Sequence, residues 1–361
     1  MRNRTMASID HAGFLTPGSF PEADPLDGLE KALRLFAFGE RLGFDSAWIR
    51  QRHLEPGVSS AAVFLAAASQ RTRRIQLGSA VIQIGYESPY RLAEDLATVD
   101  VLSGGRLNVG LSAGVPPHAD LLGPRIFDGD WTGYDLSYGR VERLADNLRG
   151  SYLGDPDRVV VNAAGRHRPR LQPVAEGLVD RLWYGGGSLR SAGWAGRTGL
   201  NLLIGNVTSG EDTDDFFTAQ RRQLDAYREA YSGSRPARVA LGRVIVPFDG
   251  ADAWTRARYT EYAASRRERT LAPQGERRTL FAPDLVGTSD QILEALARDP
   301  VLAEVSELRL ELPYEFRPFE YEQILGDAVR HILPQLGWRA AAPERHPAPQ
   351  PVPESWGAQG K

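Results

Sequence analysis

Three consecutive glycines separate a short apolar segment from a helix-like segment in DRLWYGGGSLRSAGWAGRTG, residues 180–199. If residues 181–185 form a strand, the glycines end it, Ser188 can cap the next helix, and Ser191 lies one turn further on. Bare backbone amides, two hydroxyl groups and a helix N-terminus suit an anion such as a phosphate. Arg190 could add a positive charge. A tight strand–helix turn with a serine cap explains the same residues equally well.

A second group of reactive side chains follows a predicted strand over residues 44–50, where Arg52 and His53 precede a Pro-Gly turn. A histidine at such a position could donate a proton or a hydrogen bond to a ligand. The arginine could bind an anionic group. The alternatives are a histidine that only holds the loop and an arginine that is only solvated.

Residues 115–135 form a long segment rich in glycine, proline and aromatic residues, and long segments of this kind are often functional loops. His118, Phe127 and Trp131 could line a pocket for an apolar substrate there, together with Tyr86 just after the third predicted strand. The alternative is a loop packed on its own aromatic rings.

Strand-like and helix-like segments alternate along the chain. The strand predictions, in chain order, are residues 8–18, 44–50, 74–84, 106–114, 181–185, 201–206, 239–248 and 307–312. About eight strand–helix units with short spacing favour an α/β fold of the (β/α)8, TIM-barrel type, with insertion loops at the carboxyl face of the strands. A doubly wound open sheet is the competitor, but no GxGxxG turn follows the first strand.

Local signals place several helix ends. Asp27, with Glu30 three residues later, predicts an N-cap and a capping box, and Gly43 predicts the end of the same helix. A later helix should begin at Pro89 and end at Gly104. On that helix Glu94 is predicted to form a structural salt bridge with Arg106.

Composition narrows the function further. The chain has 361 residues, is 42% hydrophobic, carries a formal net charge of −3 and contains no cysteine. A near-neutral charge gives no basis for binding nucleic acid or an anionic membrane, and no sequence pattern typical of a metal site is present. No apolar run approaches the roughly 20 residues of a membrane helix, so we expect a cytoplasmic protein. We expect one domain over residues 1–340 and a disordered tail over 341–361.

Four segments in the same order and spacing carry a family resemblance. They are GFDSAWIRQRH, RIQLGSAVIQI, SPYRLAEDLATVDVLSGGRLNVGLSAG and WYGGGSLRSAGWAGRTG. With them the chain resembles the luciferase-like flavin-dependent monooxygenases, the bacterial luciferase superfamily. The resemblance implies a TIM-like barrel that binds FMN, or in some branches a deazaflavin, at its mouth. It also implies a cis peptide bond at Ala80–Val81, beneath the flavin ring.

Site residues follow from the same resemblance. It favours a catalytic role for His53, and we expect Arg52 beside it to be catalytic and Tyr86, His118 and Trp131 to form a substrate pocket. The residues expected to bind the cofactor are Ala80, Val81, Ser112, Gly186, Gly187, Ser188, Arg190 and Ser191.

Two positions depart from the family pattern. Gln51-Arg52-His53 stands where luciferases carry Glu-His-His, and Ala113 stands where they carry an arginine that contacts the flavin phosphate. These departures argue against light emission from a long-chain aldehyde and favour oxidation of another substrate.

The reaction implied by the resemblance is a monooxygenation. Reduced FMN from a separate flavin reductase and dioxygen would oxygenate a small organic substrate, in a protein that the resemblance makes a plausible homodimer. The alternatives are a deazaflavin-dependent oxidoreductase, a non-catalytic flavin-binding relative, and an unrelated barrel that binds a sugar phosphate at the glycine turn.

Overall fold

Eight parallel strands close into a barrel in the computed structural model, which describes residues 8–163 and 165–341. The strands are β1 (His11–Thr16), β2 (Ser46–Ile49), β3 (Gln76–Gln83), β4 (Leu107–Ser112), β5 (Leu182–Gly185), β6 (Asn201–Ile204), β7 (Val239–Arg243) and β8 (Glu307–Glu311). They follow one another around the barrel in chain order, and β8 pairs with β1. The predicted (β/α)8 fold is therefore confirmed. The predicted tail from 342 onward lies outside the described residues.

Helices cover the outside of the barrel, as parallel pairing requires of the connections. They are α1 (Pro25–Leu42), α2 (Ala61–Arg71), α3 (Pro89–Ser103), α4 (Ala119–Ile126), α5 (Gly139–Leu148), α6 (Leu189–Arg197), α7 (Phe216–Ala230), α8 (Ala253–Arg266), α9 (Ser289–Leu296) and α10 (Pro318–Asp327). No helix within the described residues combines the length and the apolar character that crossing a membrane requires.

The ends of α1 show how local sequence signals act. The cap prediction at Asp27 is wrong, because Asp24 is the N-cap and its carboxylate accepts a hydrogen bond from the Asp27 amide. Proline is favoured in the first turn, where its missing N–H costs nothing, and this explains the earlier start at Pro25. Gly43 ends the helix as predicted, in the left-handed region with a φ of 94°.

The barrel interior is filled by side chains. One apolar cluster takes a residue from each of six strands: Leu15, Trp48, Ala80, Trp183, Leu203 and Ala240. The rings of Trp48 and Trp183 meet edge to face with centroids 5.7 Å apart. A Cβ on Gly78 would overlap the Trp48 ring, so glycine in β3 is a packing requirement. Because the interior is packed, a ligand site belongs at the rim.

One loop prediction and one strand prediction need correction. Residues 115–135 are not structureless, since they contain α4 and a short 3-10 helix at Trp131–Gly133. The strand predicted over residues 239–248 is two strands, β7 and Ile245–Pro247, and the second pairs with Leu285–Gly287 outside the barrel. A surface hairpin formed by Val160–Asn162 and Gly165–His167 was not predicted.

The salt bridge predicted between Glu94 and Arg106 is wrong. Glu94 pairs with Arg91 on the surface of α3. The Arg106 guanidinium instead donates to the carbonyl oxygens of Ser69, Thr72, Ile75 and Ser103. The planar fork of arginine suits this role, because several carbonyl groups at the end of α2 and the start of β3 have no other partner in a helix or ladder.

Replacing Arg106 by alanine should lower the free energy of unfolding by about 3 kcal/mol, since it leaves several partly buried carbonyl groups without a donor. Urea unfolding followed by circular dichroism measures this change. Glu94→Gln is the control and should change stability by less than about 0.5 kcal/mol. Equal losses of unfolding free energy in the two variants would contradict the role of Arg106 as a donor to the carbonyl groups and would support the salt bridge between Glu94 and Arg106.

Candidate active site

The glycine turn forms a compact set of polar groups at the start of α6. Ser188 is the N-cap, and its hydroxyl oxygen accepts from the Ser191 amide at 3.1 Å. The Ser191 hydroxyl oxygen in turn accepts from the amides of Gly187 and Ser188, at 3.2 and 3.0 Å. Amide donors therefore converge where the positive end of the α6 dipole lies, as an anion site requires. We call Gly187, Ser188, Leu189 and Ser191 the cradle.

The glycines of the turn are required for different reasons. A Cβ on Gly186 would lie 2.8 Å from Leu202 Cδ1, so packing alone excludes a side chain there. A Cβ on Gly187 would meet no heavy atom of the described chain within 4 Å, and the backbone at Gly187 does not have a positive φ. Neither packing nor conformation therefore demands glycine at 187, and the open space above it lets a ligand approach the amides.

An internal carboxylate already reaches the cradle. Glu211 Oε2 accepts a hydrogen bond from the Leu189 amide at 2.7 Å. An anion that binds the cradle must therefore compete with Glu211. Arg190 does not balance this charge, because its exposed guanidinium lies over the Tyr138 ring, 5.8 Å from the centroid. The sequence reasoning missed Glu211.

The surface formed by β3 at Ala80 and Val81 is apolar. The Ala80–Val81 peptide bond is cis, as the sequence resemblance implied. Val81 Cγ1 lies 3.3 Å from the position of a Cβ on Gly110 and 3.1 Å from that on Gly185, so β3 reaches across β4 to β5 only because both are glycines. Ser112, half-buried at the end of β4, pairs with Gln83 of β3. The predicted cofactor residues Ala80 and Val81 on β3 and Ser112 on β4 therefore lie on adjoining strands. Gly186 follows directly after β5, the next strand of the barrel.

His53 is held at the neighbouring part of the rim by Gln51. The Gln51 side-chain amide nitrogen lies 3.1 Å from His53 Nε2 and 3.2 Å from Glu87 Oε1. The Tyr86 ring meets the His53 ring edge to face with centroids 4.9 Å apart. Burial lowers the pKa of His53 and raises the pKa of Glu87. His53 is thus a half-buried, preferentially neutral imidazole, and the role of Glu87 was not visible in the sequence.

The insertion, residues 115–135, contacts the group formed by Gln51, His53, Tyr86 and Glu87 at the Tyr86 hydroxyl. The Tyr86 hydroxyl donates to the Pro117 carbonyl oxygen, which ties the start of the insertion to the rim. His118 is exposed and caps α4 in the left-handed region, with a φ of 64°. The Trp131 ring packs on α4 at Gly123, and Phe127 packs on Tyr134 with centroids 4.5 Å apart. The insertion therefore packs largely on its own aromatic rings, and the contacts connect only Tyr86 directly with His53.

Arg52 points toward the connection after β8. Its guanidinium donates to the Tyr314 hydroxyl and lies 3.7 Å from the Glu55 carboxylate. The contacts therefore do not join Arg52 to His53, although the two residues are adjacent in the chain. Within the described residues, no group of three or more histidine, aspartate or glutamate side chains could hold a metal ion.

A family model of luciferase-like monooxygenases matches residues 1–300. The chain belongs to this family. Limonene 1,2-monooxygenase from Rhodococcus erythropolis is 35% identical over 119 residues, which cover 32% of this chain and 30% of that protein. The chain thus spans less than a third of the length of this curated relative.

Solved structures share the fold of this member of the luciferase-like monooxygenase family, and two of them show this likeness. The first is the oxygenating constituent of 3,6-diketocamphane monooxygenase from Pseudomonas putida, in complex with FMN, with a TM-score of 0.65 at 14% identity over 91% of this chain and 98% of that chain. The second is an F420-dependent secondary alcohol dehydrogenase in complex with an F420–acetone adduct, with a TM-score of 0.61 at 16% identity over 91% and 99%.

The side of the mouth opposite the cradle is charged, which the sequence reasoning did not anticipate. Glu311, at the end of β8, accepts hydrogen bonds from Arg50 at 2.8 Å and from Asn206 at 2.9 Å. Arg309 lies beneath them, 4% exposed, with Nη2 3.5 Å from Glu311 Oε1. The sequence signal that could have predicted this group is a charged residue at the end of two predicted strands, Arg50 after β2 and Glu311 in β8. In this member of the luciferase-like monooxygenase family, therefore, an apolar surface and a group of charged side chains share one rim.

Tyr86→Phe should loosen the insertion, because it removes the hydroxyl bond to Pro117 and keeps the ring against His53. Hydrogen exchange followed by mass spectrometry should show faster exchange in residues 115–127 than in the wild type, with the barrel strands unchanged. Tyr134→Phe is the matched control, since its hydroxyl bond to Asp128 is exposed and lies within the insertion. Unchanged exchange in Tyr86→Phe would show that this bond does not hold the segment.

Proposed function

We propose that this luciferase-like monooxygenase uses reduced FMN and dioxygen to oxygenate a small organic substrate, as the oxygenase half of a two-component system. The observation that carries the proposal is the cradle, where open space above Gly187 leaves room for a phosphate beside amides that donate to Ser191 and Glu211 at the N-terminus of α6. Support comes from the structural neighbour described as an oxygenating constituent in complex with FMN. A separate flavin reductase would supply the reduced cofactor.

The residues present fit FMN. The amides of Gly187, Ser188 and Leu189 and the Ser191 hydroxyl would hold its phosphate, once the Ser191 hydroxyl has moved from the first two amides and Glu211 from the third. The apolar surface at the cis Ala80–Val81 peptide would accept an isoalloxazine ring. When bound and reduced, FMN would supply the two electrons that let one oxygen atom of dioxygen enter the substrate and the other leave as water.

The chain's own residues would bind, orient and shield the reactants. His53 would offer its ring as a hydrogen-bond partner at the rim, with Tyr86 holding it from the side. The insertion, tied to the rim at Pro117, would limit the entry of water. Arg52 would act from beside Tyr314, in the connection after β8, on an anionic group of the substrate or cofactor.

A deazaflavin-dependent oxidoreductase is the second candidate. A solved structure with the same fold is an F420-dependent alcohol dehydrogenase, and a curated relative 26% identical over 218 residues is an F420-dependent glucose-6-phosphate dehydrogenase from Amycolatopsis mediterranei. Hydride transfer to or from a deazaflavin does not need dioxygen, which separates the two candidates.

Reconstitution tests the proposal. Purified protein is incubated with FMN or F420, the unbound cofactor is removed, and the fluorescence of the cofactor released on denaturation identifies the one retained. We expect FMN, and we expect oxygen uptake that depends on both an added flavin reductase and a substrate from a panel of organic compounds. Retention of F420 with no oxygen uptake would favour the second candidate. Retention of neither would refute a flavin-type cofactor.

Gly187→Leu should weaken FMN binding at least tenfold, because the side chain fills the space above the cradle amides. The fold should persist, since the structure leaves that space open. Fluorescence quenching of FMN measures affinity, and thermal unfolding checks the fold. Gly133→Leu is the control at another glycine with open space, and it should bind FMN like the wild type. An unaltered affinity in Gly187→Leu would place the phosphate elsewhere.

Glu211→Gln should strengthen FMN binding several-fold, because it removes the negative charge that competes with the phosphate for the Leu189 amide. Asp214→Asn is the matched control in the same loop, where the carboxylate pairs with Arg278. It should change affinity much less, since solvent screens exposed charges. Weaker binding in Glu211→Gln would instead make the carboxylate part of the FMN site.

A further inference from the structure

The orientation of the Gln51 side chain is determined by a backbone group. Gln51 is 4% exposed, and its Oε1 accepts a hydrogen bond from the Ala61 amide at 3.0 Å. Ala61 is the first residue of α2, so its N–H has no partner within the helix. An amide donor can be satisfied only by the oxygen of Gln51 and not by its nitrogen. The nitrogen must therefore face the other way.

The Gln51 nitrogen faces two groups that must both accept. His53 Nε2 and Glu87 Oε1 lie 3.1 and 3.2 Å from it. A side-chain amide nitrogen carries two protons and offers no lone pair. His53 Nε2 must therefore carry the lone pair, and the proton of the neutral ring must lie on Nδ1.

We propose that Gln51 is a positioning residue that holds His53 neutral with its proton on Nδ1. For the function proposed above, on which this role in the reaction rests, His53 would present an Nδ1–H donor to a ligand rather than act as an imidazolium acid. Among the described residues, Gln51 is the only hydrogen-bond partner of the His53 ring, which leaves Nδ1–H available.

Protonation of His53 is opposed by the groups around it. A proton on Nε2 would meet the N–H of Gln51, and turning the amide over would set its nitrogen against the Ala61 N–H. Burial beside the Tyr86 ring also disfavours a charged imidazole. Glu87 is the nearest carboxylate in this network, but Gln51 stands between it and the ring.

Glu87 is in turn held from behind by α5. The Arg140 guanidinium donates to the backbone carbonyl oxygens of Ile84 and Glu87. On α3, the Asp95 carboxylate favours the neutral form of Glu87, whereas the charge of Arg140 favours its carboxylate form. The bonds from Arg140 hold the backbone at Glu87 in place, and the Glu87 carboxylate contacts the His53 group through Gln51.

Nitrogen-detected NMR of protein labelled with 15N-histidine tests the proposal without cofactor or substrate. In the wild type, the His53 ring should be protonated at Nδ1, and its pKa should lie below the ordinary value of 6.5. Gln51→Glu keeps an oxygen for Ala61 and turns the other toward His53 as an acceptor. The proton should then move to Nε2, and the pKa of His53 should rise by about one to three units.

Gln70→Glu is the matched control, because Gln70 is exposed on α2 and, within the part of the chain that the structure describes, bonds to Ser69 and Leu102 alone. It adds the same charge and should leave the His53 signals unchanged. A wild-type ring protonated at Nε2, or equal His53 titrations in the two variants, would overturn the proposal. The wild-type tautomer decides the question even if Gln51→Glu fails to fold.

The two proposals fail separately. Loss of FMN retention would refute the proposed cofactor and leave the tautomer result unaffected. Conversely, an Nε2-protonated His53 in a protein that retains FMN and takes up oxygen would refute only the role of Gln51.

Discussion

Trp48 and Trp183 cross inside the barrel with their ring planes at 89°, and they occupy the space that eight strands enclose. Their bulk requires glycine at 78, where any side chain would overlap the Trp48 ring. The Trp183 indole N–H is satisfied by the Asn108 side chain and that of Trp48 by the Ser46 hydroxyl, both at 2.9 Å. With the interior filled, a ligand site belongs at the rim where the strands end.

The rim divides into two chemically different halves because different strands supply them. On β3, β4 and β5 the chain presents alanine, valine and glycine, followed by the amides at the start of α6. Across the mouth, Arg50, Asn206 and Arg309 gather around the single carboxylate of Glu311. A flat ring with a phosphate suits the first half, and a polar or anionic reactant suits the second.

The two halves are not isolated from the helices. Gln51 ties the start of α2 to the His53 ring and to Glu87, which precedes α3. Tyr86 extends the same group to the insertion through Pro117. Packed side chains therefore connect the insertion to His53 through Tyr86. The protonation of His53 depends on the orientation of the Gln51 side-chain amide, which the Ala61 N–H at the start of α2 determines.

The sequence by itself determined what depends on neighbours in the chain. Strand–helix alternation predicted the barrel, Gly43 and Gly104 predicted helix ends, and the serine cap of α6 followed from residues three apart. The family resemblance added the cis bond at Ala80–Val81. Tertiary structure alone decided the partners of charged groups. Glu211 lies 22 residues from Leu189, Glu87 lies 36 from Gln51, and Glu311 lies 261 from Arg50. Arg106 failed as the partner of Glu94 for the same reason, because strand closure and helix packing place its guanidinium against distant carbonyl oxygens of Ser69, Thr72 and Ile75. Glu94 itself pairs with Arg91, three residues away on the same helix.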